Sequence, residues 1–252
     1  MHISAPLAPE PIAHLGPLTI TNSMLTSLFV IVLLCIAAYL GTRKMKIVPG
    51  RFQALLEATV EFLYDLAVDT VGRKVGRKVF PLVATFFIFI LVANWIGLMP
   101  GFGSIKVLSP EGHEYVPLLR AANSDLNMTA AMALISIVTV QVLGVAYNGV
   151  LGYIKHLATP WFLLPIHLLS EVSHIISLAA RLFGNIFGGE VLMLVMYSLV
   201  PILVPTVFAG LEALFGFIQA LIFTTLSIVY MALVVGGEEH GDALTGQASA
   251  AH

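Results

Sequence analysis

Charge is what this 252-residue sequence has little of: 10% of its residues are Asp, Glu, Lys or Arg, whereas 58% are hydrophobic and the mean hydropathy is +0.96. Soluble domains carry about 25% charged residues, so the composition argues for a polytopic membrane protein. Cys35 is the single cysteine, which excludes an intramolecular disulfide framework. The basic n-region of a secretory signal peptide is also missing, so the first apolar segment is predicted to be an uncleaved helix.

Long stretches without any charged residue predict the fold class. Such stretches cover residues 11–42, 79–105, 126–154, 191–211 and 213–237, and about 20 apolar residues cross the hydrocarbon core of a bilayer. In lipid every backbone N–H and C=O needs an internal partner, and these stretches lack the two-residue alternation of a barrel strand. We therefore predict an all-α polytopic membrane protein with about five membrane-embedded helices in one domain.

The predicted elements follow from these stretches and from the residues that flank them. Residues 1–21 are Pro-rich and form an external arm, and residues 50–75 form an amphipathic helix. Spanning helices are predicted over 22–42, 81–98 and 125–152, and a long tilted hairpin over 161–200 and 205–235. The last two helices would extend about 46 to 60 Å at 1.5 Å per residue, against a core of about 30 Å, so we expect them to tilt or bend.

The amphipathic helix carries a stripe of carboxylates. Glu57, Glu61, Asp65 and Asp69 repeat every four residues, and leucines, phenylalanine and valine cover much of the other faces. This pattern predicts a helix at the membrane surface or against partner helices. A linker helix facing the soluble phase is the alternative interpretation.

The basic residues predict how the chain is oriented. Two of the twelve Lys and Arg residues, Lys106 and Arg120, lie on one predicted side of the membrane, and Arg181 lies within a span. The other nine lie on the opposite side: Arg43, Lys44, Lys46, Arg51, Arg73, Lys74, Arg77, Lys78 and Lys155. Because cytoplasmic loops carry the excess of Lys and Arg, we expect the N-terminus outside and the C-terminus in the cytoplasm.

One arginine stands inside a stretch of otherwise apolar and small residues, "SLAARLFGNIFGGEVLM" at 177–193. The acids closest to Arg181 in sequence are Glu171 and Glu190, about ten positions away on either side. An arginine at mid-bilayer costs from about 2.5 to about 17 kcal/mol, and intramembrane charges mark ion paths. We therefore expect a functional role for Arg181; a structural arginine paired with Glu190 or Glu212 of its own chain is the alternative.

Polar residues share the face of that arginine. On a wheel at about 100° per residue, four residues fall within about 40° of Arg181: His174, Ser177, Asn185 and Gly188. Glu190 falls on the opposite side of the helix and Glu171 about 80° away. In the next predicted helix, Glu212 and Gln219 share one face. Arginine does not deprotonate in proteins, so it cannot relay protons, whereas carboxylates and amides offset from it can. The combination suits an ion path interrupted by a fixed charge.

Each polar candidate also has a structural interpretation. The two glutamates can serve as ion-pair partners only, and the two amides as interhelical hydrogen-bonding groups. His174 can simply be solvated near an interface. Asp125 can cap a helix or bind a proton. Gly188 and its neighbour Gly189 can simply permit close helix contact.

The stretch "SLAARLFGNIFGGE" resembles the signature of subunit a of the bacterial-type rotary ATP synthase, in which Ser-Leu-x-x-Arg-Leu-x-x-Asn precedes a small-residue pair and an acid or histidine. Three further stretches agree in order: "PLVATFFIFILVANWIGLMPG", "SDLNMTAAMAL" and "IQALIFTTLSIVYM". "PIAHLGPLTITNSML" is similar to the family's approach to helix one. The resemblance covers nearly the whole chain.

The resemblance implies roles for individual residues. Arg181 is the family's arginine, which faces a ring of c subunits and separates two aqueous half-channels. Asn185 and Gln219 match polar positions beside it. Glu190 matches the acidic position of the external half-channel, and Glu212 a neighbouring titratable position.

Further candidates follow from the same resemblance. Ser177 matches a polar position near the cytoplasmic side, and Asp125 the aspartate of the "DLN" motif. His174 and Glu171 are additional candidates, although the family's upstream glutamate commonly lies further from the arginine than Glu171 does.

The implied function is that of the ion-translocating stator subunit, which couples proton flow to rotation of the c ring and thereby to ATP synthesis. The chain would have no catalytic site, cofactor or bound metal of its own. Its partners would be the c-subunit ring, b-type peripheral stalk subunits, the rest of the complex and membrane lipid, with no nucleic acid. It would reside in the plasma (inner) membrane of a bacterium.

Two other hypotheses remain at this point. A self-contained transporter or channel would use Arg181 as a substrate-binding or gating charge, although such proteins usually show internal repeats and broken helices, which the sequence lacks. A scaffold subunit without an ion path would tolerate loss of the arginine.

Overall fold

The computed structural model describes residues 9–15, 18–43, 45–46, 49–99, 101–102, 105–108, 115–158, 164–199 and 203–235. Within these ranges the chain forms six α-helices: α1 Asn22–Thr42, α2 Arg51–Val71, α3 Arg73–Gly97, α4 Leu126–Ala158, α5 Leu164–Leu199 and α6 Leu203–Val235. Parts of the predicted arm (1–8 and 16–17), the predicted start of the hairpin (161–163) and the C-terminal tail (236–252) lie outside the described residues.

Five of these helices, all except α2, are long and apolar enough to cross a membrane, which confirms the predicted fold class. The charge-free stretch 191–211 does not carry a span of its own, however. It covers the end of α5 and the start of α6. The span in α5 contains Arg181 and Glu190 instead, so one membrane-spanning helix keeps charged residues within its apolar length.

The boundary between α2 and α3 differs from the prediction. The second spanning helix begins at Arg73 rather than at Pro81, which lies inside α3. A single residue, Gly72, separates the two helices, and its φ of 84° is in the region that only glycine adopts readily. The chain therefore changes direction at Gly72, and the amphipathic helix folds back onto the spanning helix that follows it.

The acidic stripe of α2 is exposed, whereas its opposite side is buried. Glu57, Glu61 and Asp69 are exposed to the surroundings, while Leu63 and Ala67 are fully buried against other helices of the chain. Buried apolar side chains hold an amphipathic helix against its support. The predicted amphipathic character of this segment is thus present, with the apolar side packed on the chain's own bundle.

Helix α3 lies at the centre of the bundle. It is the best covered of the spans, with 56% of its most apolar stretch buried. Phe86 and Ile90 pack in one cluster with Leu182 of α5 and Phe223 of α6, and the Phe86 and Phe223 rings meet edge to face at 5.4 Å. This cluster fixes the positions of α5 and α6, on which the candidate site lies.

Helix α4 contains a sharp turn. Gly149 has φ 68° and ψ 159°, and the nine residues after it turn back along the helix. Tyr153 consequently packs against Gly144, where a side chain would collide with its ring, and its hydroxyl hydrogen-bonds to Gln141.

Two short hairpins complete the fold, neither of which was predicted. Strands β1 Pro11–Leu15 and β2 Leu18–Thr21 pair antiparallel directly before α1, and β3 Lys106–Leu108 pairs with β4 Tyr115–Pro117 in the loop after α3. A 3-10 turn, Ala122–Ser124, then leads into α4.

The turn is held by a buried amide ladder. Asn123 donates to Asn94 of α3 at 2.7 Å, and Asn94 donates to the carbonyl of Gly216 in α6 at 3.1 Å. The loop between α3 and α4 is therefore fastened to two spanning helices.

Candidate functional site: an arginine face and an adjoining carboxylate pair

Arg181 lies at the midpoint of α5 with its side chain exposed. Ser177 and Gly188, which the helical wheel places on the face of Arg181, are exposed as well, whereas His174 and Asn185 of that predicted face are partly buried. Within the described part of the chain, Arg181 makes no hydrogen bond or ion pair. The alternative in which Glu190 or Glu212 neutralises this arginine is thus not what the structure has.

Glu190 is instead paired with an arginine of the loop between α3 and α4. The Nε atom of Arg120 lies 3.2 Å from both carboxylate oxygens of Glu190. The backbone N–H of Arg120 donates to Thr26 of α1 at 3.3 Å, and its guanidinium lies 5.8 Å from the centre of the Phe187 ring. The Arg120 side chain is 4% exposed and that of Glu190 33% exposed. Arg120 is therefore a buried, well-anchored cation, and its partner remains partly open.

Glu212 of α6 lies against α5 at Gly189. A Cβ atom built on Gly189 would be 2.5 Å from Cδ of Glu212 and 3.1 Å from its Cγ, so only glycine leaves room for this side chain. Glu212 also lies near enough to Glu190 for their charges to interact. Gly189, the residue before Glu190 in the chain, thus gives the Glu212 side chain room against α5.

An open groove of about 310 Å³ runs between α5 and α6 beside Glu212. Asn185 and Gly188 line it from α5, and Leu211 and Phe215 line it from α6. A groove with apolar walls and a few polar groups can hold water or a small ion next to the carboxylate.

The two predicted amides each keep an unused hydrogen-bond donor. The side-chain nitrogens of Asn185 and Gln219 are buried and have no partner among the described residues. Gln219 is 5% exposed. Buried amide groups in folded proteins are normally hydrogen-bonded. These two donors can therefore bind a ligand, a water molecule or another chain. They do not act as hydrogen-bonding contacts between α5 and α6 here.

Asp125 acts at the start of α4. Its Oδ1 accepts from the backbone N–H of Asn127 at 2.9 Å, and its Oδ2 accepts from the hydroxyl of Ser23 in α1 at 2.6 Å. The capping interpretation of this aspartate agrees with these contacts. Neither Asp125 nor its partners Asn127 and Ser23 line the groove between α5 and α6.

The two remaining candidates lie on α5 before the arginine. The ring of His174 stacks on that of Tyr230 in α6, with centroids 4.3 Å apart and planes 19° apart. Glu171 is half-buried, and its Oε2 atom is buried without a partner within the described ranges. His174 is therefore a packed interhelical residue rather than a solvated one.

Sequence reasoning missed two residues of this site. Arg120 was one basic residue of an outer loop, and its partner is 70 positions further along the chain, so no local pattern points to the pair. Gly189 was half of a small-residue pair. Only the facing Glu212 distinguishes it from Gly188, around which there is open space.

The fold and site define a class: an integral membrane protein of several helices with an uncovered arginine and two neighbouring carboxylates inside its spans. Comparison with known proteins identifies the family. The family model described as ATP synthase A chain matches residues 24–232. The chain is 37% identical over 230 residues to ATP synthase subunit a of Moorella thermoacetica, covering 91% of this chain and 97% of that protein.

Two further relatives agree. Identity to ATP synthase subunit a of Gloeobacter violaceus is 36% over 231 residues, which are 91% of this chain and 89% of that protein. Identity to ATP synthase subunit a 2 of Bradyrhizobium is 34% over 239 residues, or 94% and 99% of the two chains. The chain belongs to the ATP synthase subunit a family.

Proposed function

We propose that this chain is the ion-translocating stator subunit of a rotary ATP synthase, which passes protons through two half-channels to and from a ring of c subunits. Family membership supports the complex. The observation that carries the mechanism is Arg181, a permanent cation exposed at the middle of a spanning helix and without a partner in the described part of the chain. A cation so placed needs a carboxylate from another molecule.

The low burial of α5 supports the presence of a partner against the side of the helix that carries Arg181. Only 11% of the most apolar stretch of α5 is buried, against 56% for α3. At 36 residues, α5 is about 54 Å long and presents this uncovered side over more than a bilayer's thickness. A ring of helices standing beside α5 and α6 would cover it.

The intake side of the path is assigned to the groove between α5 and α6. A proton from outside would reach Glu190 and Glu212, pass Asn185 and Gln219, and neutralise a carboxylate of the ring. A neutral carboxyl crosses lipid far more cheaply than a charged one, so only the loaded ring site rotates away. Each proton that falls through about 100 mV supplies about 2.3 kcal/mol.

Arg181 separates this path from the exit on the other side. After nearly a full turn, the ring carboxyl would release its proton past Ser177, with Glu171 as an additional candidate on that side; His174, which stacks on Tyr230, is assigned a packing role. The bare carboxylate is then attracted by the guanidinium, which also repels a proton that would leak directly between the half-channels. ATP formation itself would take place on other subunits, and b-type stalk subunits would hold this chain against the ring.

Orientation follows from the basic residues. Nine of the twelve Lys and Arg residues lie on the side of the α2–α3 turn, which the positive-inside rule assigns to the cytoplasm. Glu190 and Arg120 then belong to the outer half of the protein, and the N-terminus lies outside.

The test is replacement of Arg181 in the complete complex. In inverted membrane vesicles, Arg181→Ala should reduce ATP-driven proton pumping at least a hundredfold while the amount of assembled complex stays unchanged. Arg51→Ala, at the exposed start of α2, is the matched control and should pump normally. Normal pumping by Arg181→Ala would instead favour a scaffold subunit. Substrate-specific uptake by the purified chain alone in liposomes would favour a transporter.

A further inference from the structure

We propose that Arg120 is a positioning residue of the intake path: its buried guanidinium holds the Glu190 carboxylate in place beside Glu212. The inference rests on the proposed function and adds to it a residue from the outer loop. Its basis is the contact of one Arg120 nitrogen with both oxygens of Glu190, each at 3.2 Å.

The position of Glu190 on α5 explains why it needs holding. Glu190 is nine residues from Arg181, which places the two side chains about 180° apart around the helix. Glu190 therefore points away from the arginine face and towards the loop. The route proposed from Glu190 to the exposed face passes Gly189, against which the Glu212 side chain lies. The transfer thus depends on where the Glu190 carboxylate is fixed relative to that side chain.

Charge balance gives the second reason. The Glu212 side chain lies against Gly189, the residue next to Glu190, so two carboxylates share this part of the α5–α6 contact, and like charges disfavour each other there. Arg120 offsets one of the two charges. It is itself restrained by Thr26 through its backbone and by the face of Phe187 through its guanidinium. Because the Arg120 guanidinium is held in place, its contact with Glu190 restricts the positions that the Glu190 carboxylate can take.

The unequal burial of the pair distinguishes this role from a purely architectural one. The Arg120 side chain is 4% exposed, whereas that of Glu190 is 33% exposed. An ion pair that is enclosed on both sides offsets its desolvation cost only if the remaining hydrogen-bonding groups of both partners are satisfied. Here the arginine is enclosed and the carboxylate keeps an open side, on which a water molecule or a proton donor can approach.

The experiment compares charge variants in the assembled complex. We expect Arg120→Gln to lower ATP-driven pumping at least tenfold with an unchanged amount of complex, because the amide carries no charge. Arg120→Lys keeps a cation and should retain at least half of the wild-type rate. Thr26→Val removes the backbone anchor of residue 120 and keeps the guanidinium and its contact with Phe187, so it should lower pumping, but less than Arg120→Gln does.

Two results would overturn the proposal. One is normal pumping by Arg120→Gln. The other is loss of the complex from the membrane in both Arg120→Gln and Arg120→Lys, which would make the pair an architectural contact. Arg181→Ala, measured in parallel, separates the two levels of inference. If Arg181→Ala abolishes pumping and Arg120→Gln does not, only the role of Arg120 fails; if neither affects pumping, the proposed function itself fails.

Discussion

Replacing Gly189 by alanine offers a test of the carboxylate pair that leaves the fold intact. The added Cβ would lie 2.5 Å from Cδ of Glu212 and 3.1 Å from its Cγ, so the glutamate must move. Because the colliding atoms are at the end of a flexible side chain, the cost is an unfavourable rotamer of about 1 kcal/mol. Alanine in place of glycine in a helix returns about 1 kcal/mol. The stability of the complex should therefore change little.

The effect on ion transfer should be much larger. A displacement of about 1 Å in a reacting group can cost about a hundredfold in rate, so we expect Gly189→Ala to lower ATP-driven pumping between tenfold and a hundredfold. The assay is the initial rate of acidification in inverted vesicles, normalised to complex content. Gly210→Ala is the matched control, since it lies two residues from Glu212 and a Cβ there meets nothing within 4 Å.

The reasoning would be refuted by a Gly189→Ala variant that assembles and pumps like the Gly210→Ala control. In that case, the position of the Glu212 side chain beside α5 would have no bearing on the rate. Loss of assembly in Gly189→Ala alone would point the same way, because it would show that the glycine serves packing and not the carboxylate.

Two further outcomes follow from the contacts around the site. Because the His174 ring stacks on that of Tyr230, His174→Phe should keep both assembly and pumping. His174→Ala removes the ring and should lower the stability of the complex in detergent by about 0.5 to 1.5 kcal/mol, measured by thermal unfolding. Loss of pumping in the phenylalanine variant would instead show that the imidazole takes part in proton transfer. Asn94→Leu should destabilise the complex by about 1 to 3 kcal/mol, measured as a lower melting temperature, because Asn123 and the Gly216 carbonyl both lose a buried partner; an unchanged melting temperature would show that water replaces the amide.

Much of the fold could be predicted from the sequence because crossing a membrane is a local property. A run of apolar residues without charge is sufficient to predict a helix: α1 lies within the charge-free stretch 11–42, and the span of α4, Leu126–Tyr153, lies within 126–154. The span of α6 is an exception, because it contains Glu212. Helix α5 follows a different rule, since its apolar length contains Arg181 and Glu190. The end of one helix and the start of the next share the charge-free stretch 191–211, which counting charges could not resolve.

The sequence could predict only those site residues that share one face of a single helix. The exposure of Arg181 together with Ser177 and Gly188 follows from 3.6 residues per turn. The pairing of Glu190 with Arg120 depends on a loop that returns to α5 after 70 residues, and no periodicity encodes that return. The two β hairpins were not predicted either: the first lies in the segment predicted as a Pro-rich external arm, and the second lies in the loop between α3 and α4.

The uncovered guanidinium on α5 has a consequence for how the subunit is produced in a cell. A newly inserted copy must either drag water and lipid headgroups towards Arg181 or tilt to bring it near the surface, at a cost of between about 2.5 and about 17 kcal/mol. Under the proposed function, a carboxylate of the ring would relieve that cost, so the same charge would favour assembly with the ring. Copies without a partner would keep the cost, and we expect membrane proteases to degrade them faster than assembled copies.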